Sequence, residues 1–367
     1  MALQVPSPFR RPVPHQLLHQ LAAASVDGPH PHRAHAVRFG EGWLVARPQG
    51  DLLVQLDERL NALPSLPIST RTEQVLGAVA ADPDRSVVAV AHRAGLRAYA
   101  CQPAQGQAHL LWEVRHEPWD EFASPACAFD GRAQLWWVRP GPDASVDRLA
   151  VLAAQTGEVL AQADLGETGY LYQCVIHPRG GAALLEGAAG QDLAILWRAE
   201  LGPNGLAVER LTVGDRVMGG FSPSGTRFVT MPHGWGDPVI VHGWPHADVL
   251  ETLDASSVFL DEHEVSTGRP DDFDYQALFA DERHVLVDTQ QRRLLLLRTG
   301  PLELIAELWP EGYELVAYGE RGQAVRELEN VVDYEGDLTI WSIAGDRVFT
   351  LHRSGRMCLS DLTATHF

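Results

Sequence analysis

Residues 216–253 read RVMGGFSPSGT, RFVTMPHGWGD, PVIVHGWPHAD and VLETL. Turn signals separate these four short apolar runs, and the clearest of them is Ser222-Pro223-Ser224-Gly225. Proline presets φ and glycine tolerates positive φ, so this tetrapeptide predicts a tight turn between two strands. Four antiparallel strands in about forty residues are typical of one propeller blade.

The same pattern of strand and turn recurs along the chain. Turns after the first strand of each copy fall near Gly40, Asp82, Asp130, His177, Ser222, Ala280 and Ala344. The early spacings of roughly 42 to 48 residues match a propeller repeat. The seventh copy ends one strand short, and an open circular sheet would leave exposed edges. We therefore expect residues 2–6 (ALQVP) to supply the missing outer strand.

These repeats predict the domain organisation. The fold class is all-β: one seven-bladed β-propeller of four-stranded antiparallel blades, over residues 35–367. Residues 1–34 are rich in proline and are expected to form an N-terminal arm, with a short helix over residues 15–24. The connections at residues 254–274 and 310–337 exceed the usual length of structureless loops and are predicted to be acidic insertions.

The repeats resemble the WD40-type family of β-propellers. The segment FSPSGTRFVTM (residues 221–231) is the most similar to that family's turn between first and second strands. The Gly-His pair and terminal Trp-Asp of true WD repeats are missing, so the chain is described as WD40-like. The resemblance implies an interaction platform, and not a particular reaction.

The composition limits which partners and which cellular compartment we expect for the protein. The net charge of -19 argues against nucleic acid, which is bound by clustered cations. No apolar run approaches the roughly 18 residues of a membrane span. The four cysteines lie far apart without a C-x-x-C pair, which fits a reducing, bacterial cytoplasm. The chain is lysine-free, which reflects either a GC-rich genome or avoidance of a lysine-directed modification.

The two insertions carry most of the negative charge. Each has a net charge of -6, so together they hold -12 of the total -19. Such loops either keep the protein soluble or dock a protein partner with a basic segment. The function expected first is therefore a non-enzymatic protein–protein interaction scaffold. The predicted partner-binding residues are Trp119, Trp235, Phe259, Asp261, Glu262, Glu264, Tyr313 and Tyr318.

The alternative is a metal-dependent hydrolase or lyase with its site on the same face. Its candidate ligands are His233, Asp237 and His263, but these residues form no spaced metal motif. No serine lies in a G-x-S-x-G elbow. Cys127 and Cys174 hold equivalent places before their turns, where they form either a thiol pair or ordinary apolar packing. The sequence thus gives no catalytic residue and no cofactor.

Overall fold

The computed structural model describes residues 8–18, 20–25, 35–39, 42–46, 52–68, 76–82, 86–119, 123–142, 145–190, 193–260, 271–291, 293–310, 316–319, 331–335, 338–344, 347–352 and 356–362. These residues form two compact units. Unit 1 comprises Met1–Ser25 and Val217–Phe367, and unit 2 comprises Val26–Arg216. No helix within these ranges is long and apolar enough to cross a membrane.

The first eighteen strands cover the N-terminal segment and unit 2. They are β1 His15–Leu18, β2 Gln20–Ser25, β3 His35–Phe39, β4 Gly42–Ala46, β5 Leu52–Leu56, β6 Ala62–Pro67, β7 Leu76–Asp82, β8 Val87–His92, β9 Gly95–Gln102, β10 Gln107–Arg115, β11 Cys127–Asp130, β12 Gln134–Pro140, β13 Asp147–Ala153, β14 Val159–Asp164, β15 Leu171–Ile176, β16 Ala182–Ala188, β17 Ala194–Gly202 and β18 Gly205–Arg210. A 3₁₀ helix spans Pro103–Gln105.

The remaining elements belong to unit 1, apart from the first residue of β19. They are β19 Arg216–Phe221, β20 Arg227–Pro232, β21 Val239–Gly243, β22 Asp248–Leu253, the short helix α1 Ala255–Val258, β23 Phe273–Phe279, β24 His284–Thr289, β25 Leu294–Arg298, β26 Glu303–Pro310, β27 Val316–Gly319, β28 Val331–Glu335, β29 Leu338–Ala344, β30 Arg347–His352 and β31 Arg356–Asp361. The chain is therefore all-β with one short α-helix in its described part.

The strands are grouped mainly into four-stranded antiparallel sheets. Unit 2 contains the sheets β3-β4-β5-β6, β7-β8-β9-β10, β11-β12-β13-β14 and β15-β16-β17-β18. Unit 1 contains β19-β20-β21-β22, the five-stranded β1-β26-β25-β24-β23, β2-β31-β30-β29 and the hairpin β27-β28. Within unit 2, the first strands β3, β7, β11 and β15 contact one another in chain order. Consecutive sheets of unit 2 are therefore neighbours.

A register shift recurs where the third and fourth strands pair. It falls between Leu110 and Trp112 in β10, and the same pairing is shifted in the sheets that begin with β3, β11, β19 and β23. Such a bulge bends the strand and increases its twist. Recurrence at an equivalent place indicates that these sheets are copies of one structural unit.

The turn predicted at residues 222–225 is confirmed. Ser222 N donates to Arg227 O, and Gly225 N donates to Ser222 O at 2.8 Å, with Gly225 at φ +73°. An equivalent turn at Asp130 uses its carboxylate, which accepts hydrogen bonds from Arg132 N and Gln134 N. Its second oxygen accepts from Gly181 N of the next sheet, so the turn also links two neighbouring sheets of unit 2.

The N-terminal segment contributes strands, and the predicted helix over residues 15–24 is wrong. Strand β1 pairs in parallel with β26, and β2 pairs antiparallel with β31. Hydrogen bonding to these open sheet edges outweighs the local preference of a short segment, because isolated helices of this length are marginal.

The sequence assigned the fourth strand of the last sheet to the wrong segment. Strand β31 has β30 on one side and β2 on the other, so residues 20–25 occupy the place that was predicted for residues 2–6. Residues 2–6 themselves lie outside the described ranges. The fourth strand of this sheet thus comes from the N-terminal segment, but from residues 20–25.

Candidate functional site

Several residues that the sequence assigns to a site lie outside the described ranges. They are Asp261, Glu262, His263, Glu264 and Tyr313. Tyr318 lies in β27, which pairs with β28 through its backbone. Their roles in partner or metal binding stay predictions.

Trp119 and Phe259 are buried. The Trp119 ring lies 5.9 Å from that of Tyr172 in a core cluster of unit 2. Phe259 in unit 1 stacks on Phe9, with ring centroids 5.8 Å apart, and packs edge-on against Phe273. Large aromatic rings stabilise the folded state through the apolar surface that they bury. Neither side chain therefore presents an exposed surface anchor.

Trp235 is exposed on the loop between β20 and β21, which we call the tryptophan loop (residues 233–238). The side chain keeps 57% of its surface accessible. The following residue, Gly236, has φ +78°, and its N–H donates to the buried Asp272 carboxylate at 2.6 Å. Tyr275, also exposed, lies beside the loop, with its ring 5.9 Å from that of His233. The loop thus presents an aromatic surface on an anchored backbone.

The described candidate metal ligands are His233 and Asp237. Within the ranges that the structure describes, no three His, Cys, Asp or Glu side chains come close enough together to hold a metal ion. Asp237 is exposed and His233 packs near Tyr275. The third candidate, His263, falls outside those ranges, so the metal hypothesis stays a prediction.

Three acids at the end of the first insertion are buried in unit 1, although the sequence predicted an acidic surface loop. They are Asp271, Asp272 and Asp274. The carboxylate of Asp271 accepts hydrogen bonds from Thr289 Oγ1 at 2.9 Å and Gln291 N at 3.0 Å. Arg293 Nε lies 3.3 Å from its second oxygen. These carboxylates organise the backbone of unit 1 instead of contributing to an exposed charged loop.

Cys127 and Cys174 are not prepared for nucleophilic chemistry. Burial raises the pKa of each thiol to about 12. Only the thiolate is a nucleophile, so both side chains are inert near neutral pH. Both side chains pack against apolar neighbours in unit 2, which explains why a small apolar residue occupies each position.

Unit 2 contains a cavity of about 860 Å³. Three connections form it: β10 to β11, β12 to β13, and β14 to β15. The lining residues are His116, Glu117, Pro118, Trp119, Ala123, Arg139, Pro140, Gly141, Pro142, Asp147, Arg148, Thr168 and Gly169. Its volume falls within the range of about 300 to 1,000 Å³ that is usual for small-molecule sites.

Asp147 fixes one wall of this cavity. The side chain is 1% exposed, and its Oδ1 accepts a hydrogen bond from Trp119 Nε1 at 3.2 Å. Its Oδ2 accepts from Tyr172 Oη at 2.8 Å and from Gly169 N at 3.0 Å. Burial, followed by the neighbouring Asp147 charge, raises the pKa of Tyr172. The carboxylate is therefore occupied by three donors and acts as a structural brace.

Two arginines face each other across neighbouring strands at the cavity. Arg139 of β12 and Arg148 of β13 are direct cross-strand partners. Arg148 Nε forms an ion pair with Asp164 at 2.5 Å. Arg139 Nη2 donates only to the neutral amide of Gln162 at 2.9 Å, and its buried Nε has no hydrogen-bond partner among the described residues. Burial lowers the pKa of Arg139, and Arg148 lowers it further.

His116 lies between two indole rings at the same cavity. Its ring is 5.6 Å from Trp137 and 6.0 Å from Trp119. Nδ1 lies 2.7 Å from the Glu117 carbonyl oxygen, and because a carbonyl can only accept, Nδ1 carries the proton. Burial lowers the pKa of His116, which favours the neutral ring. The buried Nε2 is then an acceptor, with no partner in the described part of the chain.

Two of these connections have an unusual composition in the sequence: residues 117–121 form an aromatic acidic segment, and residues 138–147 form a Pro/Gly-rich one. The arginine pair was not predicted, although a signal for it was available. Arg139 lies near the start of the second segment and Arg148 directly follows it, so a hairpin there places them opposite each other.

Comparison with known proteins assigns the chain to no family. No protein-family model matches the chain, and no curated protein matches it.

Proposed function

We propose that this chain is a WD40-like, seven-bladed β-propeller that acts as a non-enzymatic scaffold for another protein. Three features support the propeller: four-stranded meanders, neighbouring sheets in chain order within unit 2, and the recurring bulge before the outer strand. An N-terminal strand that completes a C-terminal sheet is the closure that such a ring requires.

The observation that carries the binding role is the exposure of Trp235. Large aromatic side chains dominate the binding energy of protein interfaces, and the indole of Trp235 is 57% exposed. The hydrogen bond from Gly236 to Asp272 holds the loop in place before binding. A pre-ordered anchor loses little conformational entropy on association. Trp235 and Tyr275 together form the aromatic centre of the proposed interface.

The partner that we propose carries a basic segment. The net charge of -19 favours approach of a cationic surface, and the acids predicted to contact it are Asp261, Glu262 and Glu264. Cationic side chains also bind well over indole faces. Steering by such charges weakens when salt shortens the Debye length below about 10 Å.

The experiment compares the full-length protein with Trp235→Ala in partner capture from its native host, read by mass spectrometry. Val249→Ala in β22 is the matched control, because Val249 is also an exposed apolar residue of unit 1. We expect a partner that the wild type and Val249→Ala retain and Trp235→Ala loses. Loss of an interface hot spot costs about 2 kcal/mol, roughly thirty-fold in affinity. Equal capture by all three proteins would refute the proposed interface.

A second variant tests the acids. Replacing residues 261–270 with a Gly/Ser linker removes Asp261, Glu262 and Glu264 but keeps Leu260, whose N–H donates to Pro8 O. We expect weaker capture and a smaller dependence on salt. A linker variant that binds as tightly as the wild type, with the same salt dependence, would exclude these acids from the interface.

A further inference from the structure

We infer that the cavity of unit 2 binds a small organic anion, with its acidic head at Arg139 and Arg148 and an apolar body against the proline-rich wall. This site is separate in its residues from the tryptophan loop. It therefore does not depend on the proposed protein scaffold.

The first argument is the charge of the arginine pair. Like charges placed directly opposite each other on antiparallel strands destabilise the sheet. Arg148 has Asp164 as a counter-ion, whereas Arg139 has, among the described residues, only the amide of Gln162 as a side-chain acceptor. Of the two described acids that line the cavity, Asp147 accepts hydrogen bonds from other groups through both oxygens, and Glu117 is exposed.

The second argument is the geometry of the guanidinium. Arg139 Nε is buried and lacks a hydrogen-bond partner in the described residues. A guanidinium presents a planar set of donors that matches the paired oxygens of a carboxylate or a phosphate. Because Arg139 lines the cavity, an anion bound there would supply a counter-charge to this guanidinium.

The third argument is the character of the walls. Pro118, Pro140 and Pro142 line the cavity together with the Trp119 ring. Proline has no N–H to donate, so these residues offer apolar contact and little hydrogen bonding. A cavity of about 860 Å³ encloses a drug-sized molecule, not a folded domain. The ligand is therefore amphipathic, with a carboxylate or a phosphate as its head.

The experiment measures binding of three probes to the full-length protein by calorimetry and ligand-observed NMR. The probes are 3-phenylpropionate, benzyl phosphate and the neutral 3-phenylpropionamide. We expect the anions to bind in the millimolar range or tighter and the amide to bind at least about tenfold more weakly, because charge-assisted hydrogen bonds are lost. The stronger of the two anions identifies the head group.

Variants locate the binding to this cavity. Arg139→Gln should weaken binding of the stronger anion by about tenfold or more. Arg148→Gln should weaken it by less, because the Arg148 guanidinium is already paired with Asp164. Arg298→Gln is the matched control, because Arg298 is an exposed arginine of unit 1 paired with Glu303. If Arg139→Gln fails to fold, Arg148→Gln and the amide comparison decide. The inference is overturned if no anion binds at about 10 mM, if the amide binds equally well, or if the cavity and control variants bind alike.

Discussion

Arg293 of unit 1 is buried and Arg139 of unit 2 is half-buried, and the charges of these two side chains are compensated in opposite ways. In unit 1, Arg293 lies between two buried carboxylates, 2.7 Å from Glu307 and 3.3 Å from Asp271. Its guanidinium also covers the ring of Phe9 at 5.9 Å. In unit 2, Arg139 faces another arginine and has an amide as its hydrogen-bond acceptor.

This difference indicates that the charge of Arg293 has a structural role, whereas the charge of Arg139 is available to a ligand. A buried ion pair is hard to break, because removing one partner leaves the other charge buried and uncompensated. Arg139 has no carboxylate partner among the residues that the structure describes, so its guanidinium does not hold its neighbours together in this way. Removing Arg293 should therefore damage the fold, whereas removing Arg139 should mainly damage binding.

The largest expected effect comes from Arg293→Met at pH 8. Asp271 and Glu307 would remain buried without their cation, so we expect the free energy of unfolding to fall by about 3–5 kcal/mol. Urea denaturation followed by circular dichroism measures this loss. Arg298→Met is the control, because its exposed ion pair with Glu303 should contribute no more than about 1 kcal/mol. Equal losses in the two variants would show that the buried ion pairs of Arg293 contribute no more to stability than an exposed one.

The pH dependence of unit 1 gives the next largest effect. Burial raises the pKa of Asp271 from 3.8 to about 7, although Arg293 partly offsets the rise. Between about pH 4 and pH 7 the folded protein therefore binds a proton that the unfolded chain does not. The free energy of unfolding should fall by about 1.4 kcal/mol per pH unit as pH rises through this window. It should level off above the window.

Asp271→Asn isolates this contribution, because an amide does not titrate. The difference in unfolding free energy between wild type and variant should change across pH 4–7 in favour of the variant. A difference that stays constant with pH would show that Asp271 does not titrate in this range.

The repeat pattern predicted much of the local structure. Turn residues such as Ser222, Gly225 and Asp130 act through bonds close in sequence, so their chemistry is visible in one segment. The origin of the fourth strand in the sheet β2-β31-β30-β29 was not visible in this way. Strand β2 pairs with β31 more than three hundred residues along the chain, and residues 2–6 have a similar apolar character.

The candidate sites were harder to predict, because exposure depends on packing between distant elements. Trp119 and Trp235 both lie in loops of unusual composition, yet one is buried beside Tyr172 and the other is exposed. Asp271 and Asp272 read as surface acids, but they accept hydrogen bonds within unit 1. Sequence gives the residue types of a loop and not the neighbours that cover it.

The smallest expected effect on stability is that of Arg139→Met. The variant removes one member of a like-charge pair, together with the contact of the Arg139 guanidinium with the Trp137 ring at 5.9 Å. We expect the free energy of unfolding to stay within about 1 kcal/mol of the wild type, or to rise. Urea denaturation beside Arg293→Met tests this. A loss as large as that of Arg293→Met would mean that Arg139 is structural.

The most direct test of the contrast is the unfolding midpoint of wild type and Arg139→Gln, each with and without 3-phenylpropionate. A ligand at ten times its dissociation constant stabilises the folded state by about 1.4 kcal/mol. We predict that the anion stabilises the wild type by this amount, and Arg139→Gln, with a dissociation constant at least tenfold higher, by no more than about 0.4 kcal/mol. Without the anion the two proteins should be equally stable. An equal rise in the midpoint of both, or an Arg139→Gln protein that is strongly destabilised before any ligand is added, would contradict the account.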